Sequence, residues 1–341
     1  MHAIHDSAGL WTLAWRRLRA DRIAMAALAV VVGFLLLLAG SATGLVAADW
    51  EEEVAVNYAP PTFAAPRAAQ AAPGVPAVAA TPAAPPANEF DPLADDLREL
   101  RATLGKAVAE PATERAPSLL FGADKWGHDI IRKTIKGGET SIVVGLAAAT
   151  LAVGLGTLFG AVSGFYGGLV DDFFNWFYNV FTSIPSILMI LTVAAVLQQK
   201  GVLTIVLILG LTGWTGPYRL IRAEYIKHKA REYVMAADAI GASAWRKMFS
   251  HIFPNVSHVA LVQVSILVVG FIKAEVILSF LGFGVPVGVV SWGSMLNEAQ
   301  NELILGKWWQ LAAAASAMAL LVTAFSLFAD ALRDALDPKV K

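Results

Sequence analysis

The sequence predicts an all-α membrane protein whose chain crosses the bilayer six times, and three observations support this prediction. Hydrophobic residues make up 57% of the 341 residues and charged residues only 16%, whereas charged residues are about 25% of a typical soluble domain. The hydrophobic residues stand in runs long enough for helices of roughly 20 residues, the length that crosses a bilayer. Basic residues collect between these runs: seven Lys and Arg lie from Arg219 to Lys247, and none lies from Val202 to Tyr218.

Residues 1–22 are predicted to form a cytoplasmic N-terminal segment that contains an amphipathic helix. Trp11, Trp15 and Leu18 share one face of this helix, and its charge comes from Arg16, Arg17, Arg19 and Arg22. Aromatic and basic residues together favour the membrane interface, although a flexible basic tail would have the same composition. Residues 23–48 follow as transmembrane helix 1, because this run is longer than the roughly 7–15 apolar residues of a signal peptide.

Residues 49–125 are predicted to form a long extracytoplasmic insertion between helices 1 and 2. Eight prolines between positions 60 and 86 stand among many alanines, and such a tract behaves as a semi-extended spacer. A helix is predicted after it, with Asp91 as its cap, because apolar residues recur at helical intervals. These residues are Phe90, Leu93, Leu97, Leu100 and Leu104. The stripe either packs on the membrane domain of the same chain or contacts an external partner.

Residues 126–341 are predicted to hold transmembrane helices 2–6 and a cytoplasmic loop at 221–255. The five spans are expected near 141–166, 173–197, 202–220, 256–281 and 308–328. Three glycines, Gly156, Gly160 and Gly164, recur on one face of the second span, and small residues at this spacing let two helices approach closely. Pro185 predicts a kink in the third span, because proline removes one backbone hydrogen bond of a helix.

Six spans place both termini on the same side of the membrane. The arginines before helix 1 and the basic loop at 221–255 put that side in the cytoplasm, since cytoplasmic loops carry an excess of Lys and Arg. A second basic group precedes span two on the predicted outer side, but long loops weaken this charge rule. Its members are Lys125, Arg132, Lys133 and Lys136.

No motif in the chain indicates an enzyme. Cysteine is absent, and the six histidines have no tight ligand spacing, so neither a metal site nor a disulfide is predicted. Gly105-Lys106 and Gly306-Lys307 lack the flanking residues of a phosphate-binding loop. We therefore expect no catalytic residues, no cofactor bound by this chain and no nucleic-acid partner.

The loop at 221–255 predicts a short helix between two turns. Glu232 and Tyr233 lead into Ala236-Ala237, a pair small enough for a tight groove, and Asp238 follows them. Gly241 suits the left-handed position that ends a helix. Ser243 can cap the next helix. From the residues alone, this segment is either a docking surface for another protein or an ordinary basic loop.

The same loop resembles the signature of permease subunits of bacterial ABC importers. That signature is Glu-Ala-Ala, three residues, Gly, and then an Ile-Leu-Pro-like end. Ala236-Ala237, Gly241 and the Ile-Phe-Pro at 252–254 match it in register, while Met235 replaces the usual Glu. The resemblance implies that the ATPase-coupling residues are Glu232, Tyr233, Ala236, Ala237, Asp238, Gly241 and Ser243.

Five further segments are similar to the C-type permease of the dipeptide, oligopeptide and nickel branch of this family. They include Phe-Gly-Ala-Asp-Lys-Trp-Gly-His-Asp at 121–129, and the others are 166–171, 278–284, 291–296 and 332–338. The resemblance implies the fold of a type I ABC importer permease in the bacterial inner membrane, surrounded by lipid. It also implies a B-type permease subunit, two ABC ATPase subunits that bind ATP and Mg, and an extracytoplasmic solute-binding protein.

On this resemblance the chain is expected to move short peptides into the cytoplasm, with ATP hydrolysed in the separate ATPase subunits. Two alternatives stay open: a permease of the same family for nickel or another solute, and a gradient-driven secondary transporter. Lys273 and Glu275 bear on this choice, because charges inside a span are costly and mark functional or paired positions. Two residues apart on a helix, they point in nearly opposite directions. They either line a translocation path or bridge to neighbouring helices.

Overall fold

The computed structural model describes residues 10–64, 100, 115–286 and 288–336. Within these residues the regular secondary structure is helical, and isolated β-bridges occur in the loops. Its helices are α1 Leu10–Ala20, α2 Arg22–Ala42, α3 Ile130–Tyr166, α4 Gly168–Thr182, α5 Ser186–Leu197, α6 Val202–Thr212, α7 Thr215–Lys229, α8 Glu232–Ala239, α9 Ala244–Arg246, α10 Phe253–Phe280, α11 Trp292–Ile304 and α12 Trp309–Leu336. A π-helix at Lys247–Ile252 joins α9 to α10.

Four helical runs among the described residues are long and apolar enough to cross a membrane. They are α2, α3, the continuous run Ala244–Phe280 and α12, and the bent pair α4–α5 would make a fifth. The predicted fourth span is shorter than expected, because α6 ends at Thr212 and α7 starts as a separate helix at Thr215. The count of six spans therefore stays a prediction.

The chain divides into two compact units. Unit 1 contains Met1–Ala48 and Thr134–Lys341, and unit 2 contains Asp49–Lys133. Within unit 1, the sequence did not predict α11. This helix starts at a capping box, in which the Ser291 hydroxyl accepts a hydrogen bond from the Ser294 N–H at 3.2 Å.

The glycine face predicted on the second span is confirmed. A Cβ atom added to Gly156, Gly160 or Gly164 of α3 would lie 2.6–2.8 Å from backbone oxygens of α7 or of its N-cap residue Trp214. Such distances are too short for any side chain, so the three glycines are what allows α3 and α7 to pack backbone against backbone.

The predicted break at Pro185 is also confirmed. Helix α4 ends at Thr182, Pro185 is the N-cap of α5, and the two helix axes differ by 82°. Since proline cannot donate the backbone hydrogen bond that a continuous helix needs, the chain turns here and starts a new helix.

Glu275 bridges two helices, which is one of the two roles that the sequence predicted for it. Its carboxylate is fully buried and accepts hydrogen bonds from Ser141 of α3 at 2.6 Å and from Ser279 at 2.7 Å. The Ser141 hydroxyl in turn accepts from the Trp292 N–H of α11 at 3.3 Å. Lys273 lies on the other side of α10 and is exposed. The two charges therefore do not pair, as their spacing predicted.

Unit 2 contains two paired segments on either side of residues 65–114. Parallel bridges join Ala55 to Ala116 and Pro61 to Leu119, so the proline tract begins inside an ordered pair of segments. The rest of that tract lies outside the described residues. So does the predicted leucine-striped helix, apart from Leu100, which is exposed.

A buried carboxylate organises the turn at residues 121–129, which we call the Asp124 loop. Asp124 is fully buried and accepts hydrogen bonds from Lys133 Nζ at 2.7 Å, from the Trp126 N–H at 2.8 Å and from the His128 N–H at 3.0 Å. Burial favours the neutral acid, but the Lys133 ammonium and these hydrogen bonds outweigh it and hold the pKa of Asp124 below its usual value.

Candidate functional site

Helix α8, the predicted docking helix, spans Glu232–Ala239 and ends in the turn that the sequence predicted. Gly241 has φ +78°, and its N–H donates to the Asp238 carbonyl at 2.9 Å. A Cβ atom at this position would meet open space. Glycine is therefore favoured here by the left-handed backbone and not by crowding.

The chain leaves the docking helix directly into a long membrane helix. Ser243 has extended backbone angles, and its hydroxyl accepts a hydrogen bond from the Arg246 N–H at 3.3 Å. This is the N-cap that the sequence predicted. The cap begins the continuous helical run Ala244–Phe280, so only four residues separate the docking helix from a helical run that is long enough to cross the membrane.

The inner face of the docking helix is held by an apolar core. Val234 and Ala237 are buried. Val234 belongs to a cluster with residues of α3, α7, the π-helix and α10: Ala161, Phe165, Ile221, Tyr225, Met248, Ile252 and Val256. The Tyr225 hydroxyl also donates to the Met248 carbonyl at 3.1 Å. Through this core the docking helix is attached to three helices of unit 1.

Cations reinforce the same attachment. Lys247 of the π-helix pairs with Asp238 of the docking helix and lies 5.8 Å from the centre of the Phe165 ring. Lys229, at the end of α7, lies 5.6 Å from the same ring. Such cation–π contacts contribute about 0.5–1 kcal/mol each at exposed sites, so they add to the apolar core without replacing it.

One hydrogen bond links the docking helix to a histidine at the end of α7. His228 Nδ1 lies 2.8 Å from the Tyr233 hydroxyl, and His228 Nε2 lies 3.6 Å from the Glu224 carboxylate. Burial lowers the pKa of His228, and the nearby Glu224 only partly offsets this effect. The imidazole is therefore mostly neutral at pH 7 and can share this hydrogen bond with Tyr233.

Exposed apolar side chains lie on the outer face of the docking helix, on the turn after it and on α9. Ile240 is 84% exposed, Trp245 65% and Met235 55%. Of the two alanines, Ala236 lies on this exposed face, whereas Ala237 packs inward. Only Ala236 can therefore enter a partner's groove, and Ala237 instead lets the helix sit close to its own core.

Sequence reasoning missed Ile240 and Trp245 as site residues. The available signal was the presence of large apolar side chains in a loop that is otherwise polar and basic. A solvent-exposed loop has no need of them, and a cluster of exposed apolar side chains marks an interaction surface.

Two family descriptions match this chain. "Binding-protein-dependent transport system inner membrane component" matches residues 156–341, and "N-terminal TM domain of oligopeptide transport permease C" matches residues 9–61. The first match covers more than half of the chain and includes the docking helix and every helix after it. The chain belongs to the family of binding-protein-dependent transport system inner membrane components. It is therefore a multi-pass inner membrane protein, and the permease resemblance seen in the sequence is confirmed.

Curated relatives support the same assignment. The oligopeptide transport system permease protein OppC of Bacillus subtilis (strain 168) is 37% identical over 221 residues, which are 65% of this chain and 72% of that protein. The dipeptide transport system permease protein DppC of the same organism is 35% identical over 221 residues, 65% of this chain and 69% of that protein. OppC of Haemophilus influenzae is 34% identical over 219 residues, 64% of this chain and 70% of that protein.

The comparisons assign no role to individual residues. The coupling residues at 232–243 and the path residues Lys273 and Glu275 therefore stay predictions. Among the described residues, no group of three or more His, Asp or Glu side chains is placed to hold a metal ion.

Proposed function

We propose that this chain is one transmembrane subunit of an ABC importer that moves short peptides into the cytoplasm. The substrate class rests on the relatives, which are named as oligopeptide and dipeptide permeases. The coupling mechanism rests on one observation: a short helix with an exposed apolar outer face is fixed by its inner face to three helices of the membrane unit.

In the proposed mechanism, the outer face of the docking helix seats in a groove of a separate ATPase subunit. ATP closes the ATPase dimer and displaces the docking helix. Because protein cores are close-packed and transmit strain, the displacement passes through Val234 and Tyr225 to α7 and to the run Ala244–Phe280. This chain itself makes and breaks no covalent bond, and ATP and Mg are bound by the ATPase subunits.

Four kinds of partner complete the transporter. They are two ABC ATPase subunits, a related B-type permease, an extracytoplasmic solute-binding protein and membrane lipid. Helices α4 and α5 support the need for a partner in the membrane plane, because large apolar side chains there are exposed. Examples are Leu169, Phe173, Trp176 and Leu188, which the B-type permease or lipid would cover.

We place both termini and the docking helix in the cytoplasm. Ala14 of α1, Val262 of α10 and Leu336 of α12 pack in one cluster, so the first and last described helices meet beside α10. The arginines on α1 are exposed, and positive charge favours the cytoplasmic side.

Lys273 is our candidate for the translocation path. It is exposed on α10, between Ile266 and Ile277 on the same exposed side, and an exposed ammonium inside a span needs water, a partner or a ligand. Lining a path where it meets a peptide carboxylate would meet that need. Glu275 is instead occupied by its two serine partners, so we assign it to holding α3 and α10 together.

The test is reconstitution of the complete transporter. This chain is tagged, co-expressed with a candidate B-type permease and two P-loop ATPases, purified, and inserted into liposomes with the solute-binding protein outside. We expect uptake of radiolabelled di- and tripeptides that requires ATP and survives ionophores. Uptake that needs no ATP and collapses with ionophores would indicate a gradient-driven transporter. Uptake of Ni²⁺ without peptide would indicate a different solute.

A further inference from the structure

A cleft of about 670 Å³ lies among α7, α10 and α12, next to the docking helix but on a different surface. Its polar part is rich in basic side chains, namely Lys227, His228, Arg231, His258 and Arg333. Its apolar part includes Val259, Val262 and Ile266 of α10. The cleft thus has a basic rim above an apolar wall.

The acidic side chain that lines the cleft neutralises only part of the positive charge of its rim. Glu224 is the acidic residue that lines the cleft, and it pairs with Lys227 at 3.0 Å and with His228 at 3.6 Å. Within the part of the chain that the structure describes, Arg231 and Arg333 take part in no ion pair. Two arginines on facing elements, α12 and the N-cap of the docking helix, are therefore available to an anion.

Helix α1 indicates the depth of this cleft relative to the membrane. Ala14 of α1 packs on Val262 and Leu336, both of which line the cleft. The other side of α1 exposes Trp15 and several arginines, with the Arg19 guanidinium 5.7 Å from the Trp15 ring centre. Aromatic and basic residues together favour the membrane interface. The exposed side of α1 therefore supports a position of the cleft at headgroup level.

We propose that this cleft binds an anionic phospholipid, with the headgroup phosphate between Arg231 and Arg333 and an acyl chain along Val262 and Ile266. The rim favours an anionic ligand, because one guanidinium group can donate two parallel hydrogen bonds to the oxygens of a phosphate. A lipid also suits the wall, because basic pockets between helices at the cytoplasmic side recognise anionic headgroups. This proposal needs only that the chain lies in a membrane, and so it holds whichever solute is transported.

Occupancy of the cleft has a consequence for the docking helix. Arg231 is the N-cap residue of this helix, and His228 is hydrogen-bonded to Tyr233 on it. A phosphate held by Arg231 would fix the junction between α7 and the docking helix. Anionic lipid is therefore expected to raise the fraction of ATP turnovers that lead to uptake.

Native mass spectrometry of the complete transporter, purified in mild detergent and re-equilibrated with phosphatidylglycerol, tests the proposal. The wild type should retain phosphatidylglycerol, and the double variant Arg231→Gln/Arg333→Gln should retain at least about tenfold less. Lys200→Gln/Arg219→Gln makes the same change in net charge at two exposed positions outside the cleft, and it should retain lipid like the wild type. Phosphatidylcholine, added in place of phosphatidylglycerol, should be retained weakly and to the same extent by all three proteins.

A second variant distinguishes loss of lipid binding from misfolding of the double variant. Ile266→Trp keeps both arginines but fills the apolar wall, and it too should lower retention while the complex stays intact on size exclusion. Equal retention by the wild type and Arg231→Gln/Arg333→Gln would overturn the proposal. A cross-link from Val259→Cys to another subunit would also overturn it, since the cleft would then be a protein interface.

Discussion

The docking helix and the Asp124 loop are both short segments held in one conformation, but by opposite means. The Asp124 loop closes on a buried carboxylate whose hydrogen bonds are met by its own unit. The docking helix is fixed on one side by an apolar core, whereas Met235 on its other side is exposed, as are Ile240 and Trp245 just after the helix. The first segment is complete within the chain, and we propose that a partner completes the second. Glu275 and Lys273 differ in the same way: Glu275 is buried with its hydrogen-bond partners inside the chain, whereas Lys273 is exposed.

The largest effect is expected at the Asp124 loop. Asp124→Asn removes the charge that neutralises buried Lys133, and breaking a buried ion pair from one side costs about 3–5 kcal/mol. Amide hydrogen exchange of residues 115–133 should therefore become much faster. Asp129→Asn is the matched control: Asp129 caps α3 through the Ile131 N–H at 2.7 Å, and Asn caps a helix equally well. Unchanged protection in Asp124→Asn would show that the buried carboxylate does not organise the loop.

Acid should reproduce part of that effect. The pKa of Asp124 in the folded protein is below its ordinary value, so the unfolded loop binds the proton more tightly. The stabilisation is fully present above the ordinary aspartate pKa of about 3.9 and is lost as the pH falls through the lower folded value. Hydrogen exchange measured downward from pH 5, corrected for intrinsic rates, should show the loss, and Asp124→Asn should not show it.

The second effect is expected on the exposed face of the docking helix. Ile240→Asp places a charge on the surface that we propose binds the ATPase, and loss of a central interface residue costs at least about 2 kcal/mol, or about 30-fold in affinity. ATPase retained on the tagged chain during purification should fall accordingly. Ile304→Asp is the matched control, because Ile304 is 83% exposed but lies on α11. An equal loss in both variants would refute a specific docking surface.

A smaller effect is expected at the turn. Gly241→Val forces a β-branched residue into the left-handed region at φ +78°, which costs about 1–2 kcal/mol. The strain should displace the docking helix and raise the ATP hydrolysed per peptide taken up. Gly241→Asn should behave nearly like the wild type, because asparagine tolerates this region. Unchanged coupling in Gly241→Val would mean that the turn geometry is irrelevant to transport.

The smallest effect is expected at the cap. Ser243→Ala removes the hydroxyl that accepts from the Arg246 N–H, and loss of an N-cap typically costs about 1 kcal/mol. The thermal midpoint of the purified complex should fall slightly, and Ser243→Thr should restore it. If the cap stabilises only α9, the thermal midpoint will be unchanged in both Ser243→Ala and Ser243→Thr.

Local chemistry explains what the sequence could predict. Long apolar runs, the glycine spacing of α3, the break at Pro185 and the left-handed turn at Gly241 each depend on a few neighbouring residues. The inward orientation of Val234 could not be predicted, because it packs with Phe165, Ile221 and other residues that are far away in the chain. The hydrogen bond between Glu275 and Ser141 joins residues 134 positions apart, and no local sequence pattern predicts it.

Thiol cross-linking at position 240 tests the coupling account most directly. The chain contains no cysteine, so Ile240→Cys introduces its single thiol, and Ala237→Cys is a buried control on the same element. We predict that Ile240→Cys cross-links to an ATPase subunit of the assembled transporter with high yield, and that Ala237→Cys does not. Labelling of Ile240→Cys by an impermeant reagent from outside intact cells, with no ATPase adduct, would contradict the account.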